Sequence, residues 1–263
     1  MKVSILMLGS GTSQGVPAIG CRCETCRSND ARDTRMRPSI LFSIGTTTIL
    51  VDTSSDFRQQ MLRHSVHRID AVLYTHHHFD HIGGFDDLRQ YNYLQKSAMR
   101  VYGLEETLEE LRTTFRYAFG GAAQMGGGVP SAILSAVAGG TNFEIDAVEI
   151  TPIPVMHGVL PILGYRIGDT AYVTDTNHIP ERSFALLENL DVLILDALRH
   201  EDHPTHFNLE EAIAAARRIG ARRTYFTHIA HNILHGRDSR LLPENMEFSY
   251  DGLLITSDRD SHD

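Results

Sequence analysis

One heptapeptide constrains this chain more than any other feature: Thr75-His76-His77-His78-Phe79-Asp80-His81, directly after the apolar run Ala71–Tyr74. Alternation along extended backbone sends His76 and His78 to one side and His77 to the other. Two imidazoles two apart at a strand end can address one ion, and Asp80 and His81 just beyond can reach a second. Imidazole and carboxylate donors suit Zn²⁺, Mn²⁺ or Fe²⁺. Other strand-like runs end in further donors: Val148–Val155 leads to His157, Ala171–Thr174 to Asp175, and Thr224–Thr227 to His228. In α/β sheets, sites gather beyond strand ends. The five histidines and two aspartates so placed are the donor set of a two-metal centre. His64, His67, His77, His178, His200, His203, His235 and His262 read instead as surface or locally hydrogen-bonded groups.

Further strand-length runs cover Val3–Leu8, Ile40–Ile44, Thr48–Val51, Gly164–Ile167, Ala171–Val173, Val192–Leu195 and Thr224–Phe226. Helical patterns cover 56–64, 85–94, 104–119 and 209–219, the last with Asn208 as N-cap and Gly220 as its stop. Ile44-Gly45-Thr46 and Ile167-Gly168-Asp169 read as hairpin turns. Strands joined by hairpins in places and helices in others predict an α/β fold, with mixed sheets and helices outside. No linker divides residues 1–263, so a single domain is expected, with a lid or insertion at 104–142 and a frayed tail.

The three cysteines, Cys21, Cys23 and Cys26, lie within six residues. So tight and odd-numbered a set reads as a metal knuckle in a reducing compartment, not a disulfide framework. Three thiolates need a fourth ligand to close a tetrahedral zinc, and His231 is the candidate. The preceding Gly9-Ser10-Gly11-Thr12-Ser13-Gln14 fails the dinucleotide fingerprint, because Gln14 stands where glycine is needed. Arg22, Arg27, Arg32, Arg35 and Arg37 crowd the same segment and read as a solvated face or a phosphate aid.

A net charge of −9 argues against general nucleic-acid or anionic-membrane binding, since both need surplus Lys and Arg. The start MKVSILMLGSG is a strand and turn, and the longest uncharged stretch, Tyr117 to Phe143, is broken by glycines and Pro130. A cytoplasmic location is the expectation. His206, after the strand ending at Asp196 and just before a helix, is the candidate general acid. Asp196 reads as an acceptor for a ligand imidazole or as a fold-stabilising residue.

T-H-H-H-F-D-H-I-G-G followed by His157, Asp175 and His228 resembles the metallo-β-lactamase superfamily, and Leu50-Val51-Asp52-Thr53 resembles its first motif. The resemblance implies an αββα four-layer sandwich of two mixed sheets. It implies that His76, His78 and His157 hold one metal, that Asp80, His81 and His228 hold the other, and that Asp175 bridges them. Asp80 would also orient the attacking hydroxide, and Asp52 would support the site. With the Cys-x-Cys-x-x-Cys knuckle closed by a downstream histidine, the chain resembles the phosphoribosyl 1,2-cyclic phosphate phosphodiesterases. That implies two active-site Zn or Mn ions, one structural Zn, and hydroxide attack on a small, cyclic phosphodiester. The 104–142 segment looks longer than in compact members, which leaves the specificity open. Homodimers are frequent among such hydrolases, though no residue here bears on it. Three other readings stand: an RNA-processing hydrolase, a lactonase or thioesterase, and a non-catalytic metal-containing binder.

Overall fold

The computed structural model describes residues 2–120 and 128–257. Residues 121–127 of the glycine-rich stretch, and 258–263 with His262, lie outside the described residues.

The chain first lays down β1 (Ser4–Gly9), β2 (Ser39–Ile44), β3 (Thr47–Val51), β4 (Ala71–Leu73), β5 (Met99–Gly103) and β6 (Ala132–Ala136). Then come β7 (Phe143–Ile145), β8 (Val148–His157), β9 (Leu160–Ile167), β10 (Thr170–Val173), β11 (Val192–Asp196), β12 (Arg223–Thr227), β13 (Met246–Phe248) and β14 (Leu254–Thr256). They form two 7-stranded sheets, ordered β14-β1-β2-β3-β4-β5-β6 and β13-β12-β11-β10-β9-β8-β7. Each is mixed: β14 to β3 pair antiparallel and β3 to β6 parallel, while β7 to β10 pair antiparallel and β10 to β13 parallel. Both expected hairpins are present, joining β2 to β3 and β9 to β10.

Side-chain alternation builds the layers. Ile49, Val51, Ala71, Leu73, Val192 and Ile194 pack between the sheets, whereas Leu50 and Val72 face one outer layer and Leu193 and Leu195 the other. Both faces of these strands are buried, which is why they read as continuous apolar runs. Each such Val, Leu or Ile side chain contributes about 1.5–3 kcal/mol on burial. Helices α1 (Phe57–Arg63), α2 (Phe79–Ile82), α3 (Leu88–Gln95), α4 (Glu105–Thr114) and α5 (Arg116–Phe119) accompany the first sheet. Helices α6 (Glu181–Phe184) and α7 (Leu209–Ile219) accompany the second, and α8 (His235–Asp238) follows β12. The result is the αββα sandwich.

Helix α7 begins as expected. The Asn208 side chain accepts from the Glu211 N–H, the Glu211 carboxylate accepts from the Asn208 N–H, and Gly220 closes the helix at φ 71°. The helix expected over 104–119 is instead broken at Phe115 (φ −108°, ψ 38°), where the chain turns so that Phe119 stacks on Phe85 and Phe115 packs against it at a tilt. Within the 104–142 stretch, α4 and α5 cover the first sheet and β6 extends it beside β5. Among the described residues no helix is long and apolar enough to cross a membrane.

Candidate metal centre

The donors meet where strands end. β4 runs into Thr75 and His76, β8 ends on His157, and Asp175 and His228 follow β10 and β12 closely. The two sheets are tied together there: the Leu163 N–H donates to the Thr75 carbonyl (3.1 Å), and the Tyr165 hydroxyl to the Tyr74 carbonyl (2.8 Å). Three donor-bearing residues leave their strands with left-handed backbone, Asp52 (φ 63°), Asp175 (φ 54°) and His228 (φ 60°).

One group of mutually close donors is His76, His78 and His157; a second is Asp80, His81, Asp175 and His228, the ligand atoms in each lying within 4.8 Å of one another. Asp175 stands between them, with Oδ2 3.9 Å from His76 Nε2 and 3.2 Å from His228 Nε2, and Oδ1 3.3 Å from His81 Nε2. His77 joins neither group, and alternation explains that.

Supporting bonds decide which ring nitrogen faces inward. His81 Nδ1 donates to Asp52 Oδ2 at 2.7 Å, and Asp52 also accepts from the Thr75 N–H and hydroxyl. His76 Nδ1 lies 3.0 Å from the Thr75 hydroxyl, and His157 Nδ1 donates to the Thr205 carbonyl at 2.9 Å. Each ring therefore turns Nε2 to the cluster. Among the described residues, His76 Nε2, His81 Nε2 and both His228 nitrogens are buried without a hydrogen bond. Nitrogens facing carboxylates at 3.2–3.3 Å without a hydrogen bond's alignment converge on common points, not on each other. The donor set and these orphaned nitrogens fit divalent cations.

The electrostatics show the same strain. Burial opposes ionisation of Asp175 and Asp80, yet the neighbouring imidazoles of His228 and His81 hold both carboxyls far below the usual range. Burial would lower His81 too, but Asp175, Asp80 and Asp52 push it well above an ordinary histidine. His76 goes the other way, driven down by burial and by His81.

His206 adjoins the cluster, its ring 4.7 Å from that of His157 and 4.6 Å from that of His228. Its Nδ1 faces Asp196 Oδ2 at 3.3 Å, and the same carboxylate lies 3.7 Å from His228 Nδ1. Burial opposes protonation of His206, but the Asp196 charge prevails and raises it to about 9.

The knuckle closes as well. Cys21, Cys23, Cys26 and His231 form a third donor group, with His231 Nδ1 3.3 Å from Cys21 Sγ and 3.4 Å from Cys23 Sγ. The Cys23 N–H lowers the Cys21 thiol, while burial pushes Cys26 up to about 11. Arg35 departs from the expected solvated face. It is fully buried, paired to Asp33 (2.9 Å) and donating to the carbonyls of Ala230 and Ile233 (3.0 Å each). A buried guanidinium needs such saturation, and the acceptors come from the distant loop carrying His231, which no local pattern reveals. Thr205 and Asn177, which hold the site's rim, were equally invisible in the sequence, because Thr205 acts through its backbone carbonyl and Asn177 binds backbone groups.

The chain belongs to the metallo-β-lactamase superfamily of hydrolases: the family model for the beta-lactamase superfamily domain matches residues 47–229. A solved diphosphatase of the PhnP family is 39% identical, with a TM-score of 0.91 over 98% of both chains. Zn(2+)-bound PqqB from Methylobacterium extorquens shares the fold, at 21% identity and a TM-score of 0.80, over 96% of this chain and 99% of that one. A protein named octanoyltransferase in Porphyromonas gingivalis is 39% identical over 251 residues, 94% of this chain and 50% of that protein. The chain spans half, or less, of the length of the curated relatives it matches.

Proposed function

We propose that this hydrolase is a phosphodiesterase acting on a small, cyclic diester. The observation that carries the reading is the His206–Asp196 pair set against a two-part cluster of donor side chains with Asp175 between its halves. Hydrolysis of a phosphodiester needs charge neutralisation, a nucleophile, and a proton for the departing alkoxide. His76, His78 and His157 would hold one divalent ion and Asp80, His81 and His228 the other, with Asp175 shared; Zn or Mn matches these donors. Two such ions would supply Lewis acidity toward the phosphoryl oxygens and would lower the pKa of water toward neutrality.

The remaining work falls to the chain. Asp52 and Thr75 keep His81 and His76 in the tautomers that present Nε2. Asp80, a cluster carboxylate, would also accept a hydrogen bond from attacking water and orient it. His206, held protonated by Asp196, gives its Nε2 proton to the leaving oxygen, a role typically worth 10²–10⁴-fold. Cys21, Cys23, Cys26 and His231 would hold a structural zinc. The relation to a diphosphatase that matches along the whole chain supports phosphorus as the centre attacked. The net charge of −9 favours a small diester over a long polyanion.

The test is turnover by metal-loaded protein of a 1,2-cyclic ribose phosphate and of bis(p-nitrophenyl) phosphate, beside a diphosphate and an octanoyl thioester. The cyclic diester should give the higher kcat/KM and a ring-opened monoester. A second reading, attack on an acyl carbonyl, is favoured by the octanoyltransferase name of one relative, half of which this chain resembles. Turnover of the thioester with both diesters inert would establish that reading and dismiss the first.

A further inference from the structure

We propose that Asn177 is a positioning residue that clamps the hairpin carrying His157 to the loop carrying His206; its effect on proton donation rests on the phosphodiesterase reading, its effect on metal binding does not. The two residues flanking His157 are tied to the segment after Asp175. The Thr176 hydroxyl and the Asn177 N–H donate to the Met156 carbonyl at 2.8 and 3.2 Å. The Asn177 side-chain carbonyl accepts from the Gly158 N–H at 2.9 Å. Its amide group donates to the Pro204 carbonyl at 2.8 Å. Next along that loop, the Thr205 carbonyl receives the Nδ1–H of His157, and His206 follows.

One amide thus spans both walls of the site, and its orientation is fixed by chemistry. Turned over, it would set its NH₂ against the Gly158 N–H and its oxygen against the Pro204 carbonyl. The two walls are already in close contact. Gly158 sits at φ 61°, and a Cβ there would lie 2.8 Å from Thr205 Cγ2. A small spreading of the walls would rotate His157 away from His76 and His78 and carry His206 with it. Groups that orient a metal-ligating histidine typically matter 10–100-fold in affinity.

The experiment uses the full chain with Asn177→Ala and Asn177→Asp. Zn²⁺ is titrated against graded chelator, and kcat and KM are measured on a cyclic alkyl diester and on bis(p-nitrophenyl) phosphate, whose leaving group needs no proton. Asn177→Ala should weaken one zinc of the chain roughly 10–100-fold and leave the others at parental affinity. It should lower kcat on the alkyl diester at least about tenfold more than on the nitrophenyl ester, with KM little changed. Asn177→Asp keeps the acceptor for Gly158 but sets a carboxylate against the Pro204 carbonyl. It should reproduce the leaving-group effect with smaller loss of zinc affinity. Parental zinc affinity in Asn177→Ala, or an equal fall on both esters with only a lower melting temperature, overturns the proposal. If the parent hydrolyses neither diester, the function proposed above falls, and the zinc titration alone decides the clamp.

Discussion

The histidine–aspartate cluster stands on strand ends, whereas the cysteine knuckle stands on loops. His76, His78, His157, Asp175 and His228 follow or end a strand, Asp80 and His81 sit in the short helix α2 just beyond, and most are buried, His78 being the exposed member. The knuckle thiols are half-exposed and lie in a segment with only a 3₁₀ turn, Thr25–Arg27. The two nevertheless share one loop, His228 belonging to the cluster and His231 to the knuckle. The sheets set the cluster's geometry, and side chains such as Asp52, Thr75 and Asn177 refine it. A loop must be held by its ligand, or by a latch such as Arg35. Catalysis and stability should therefore respond oppositely when each is damaged.

The largest effect expected is on Asp175→Ala. Removing the carboxylate shared by both donor groups should cut kcat/KM by roughly 10⁴-fold, with the melting temperature by calorimetry near the parent's. Unfolding of this variant at room temperature would break the contrast, since it would make the cluster a pillar of the fold. His206→Gln comes next, with a loss of about 10²–10³-fold on an alkyl diester and a much smaller one on a nitrophenyl ester. Equal losses on both would remove His206 from proton donation.

Cys23→Ser tests the other region. One metal per chain should be lost by elemental analysis, with stability lower by on the order of 3 kcal/mol while the remaining ions and most activity persist. Loss of all metals together would show that the loop, not the sheets, holds His228.

The smallest effect is a pH slope near the knuckle. Burial first, then the charges of Arg32 and Arg35, lower His235 to about 4. The neutral ring is favoured in the folded state, so its contribution is complete above about pH 6.5 and is lost as pH falls toward 4. The loss should reach roughly 2 kcal/mol by about pH 5. Denaturant unfolding of His235→Phe across that window should show a shallower slope than the parent; an identical slope refutes the assignment.

Most of the cluster was legible because its donors follow apolar runs that could only be buried strands. The length and charge of the chain added little to that. β5, β6, β7, β13 and β14 escaped because they are short, polar or small in side chain, as in Met99-Arg-Val-Tyr-Gly103, and are recognisable only through their partners. The short helix α2 escaped as well, since four residues are too few to show a helical period, yet Asp80 and His81 lie in its only turn. His231 was found by counting ligands. Arg35, Asn177 and Thr205 were not: Arg35 and Asn177 act on backbone groups far along the chain, and Thr205 acts through its own backbone carbonyl, which its residue type does not announce.

Asp52, Asp175 and His228 occupy a region of backbone space where glycine rests comfortably and a side chain costs about 1 kcal/mol or more. Glycine, however, carries neither a carboxylate nor an imidazole. At Asp52 the bonds accepted from His81 and Thr75 outweigh that cost, but at Asp175 and His228 relief of the backbone by glycine would remove a donor outright, so any campaign to harden this scaffold must score turnover at every round.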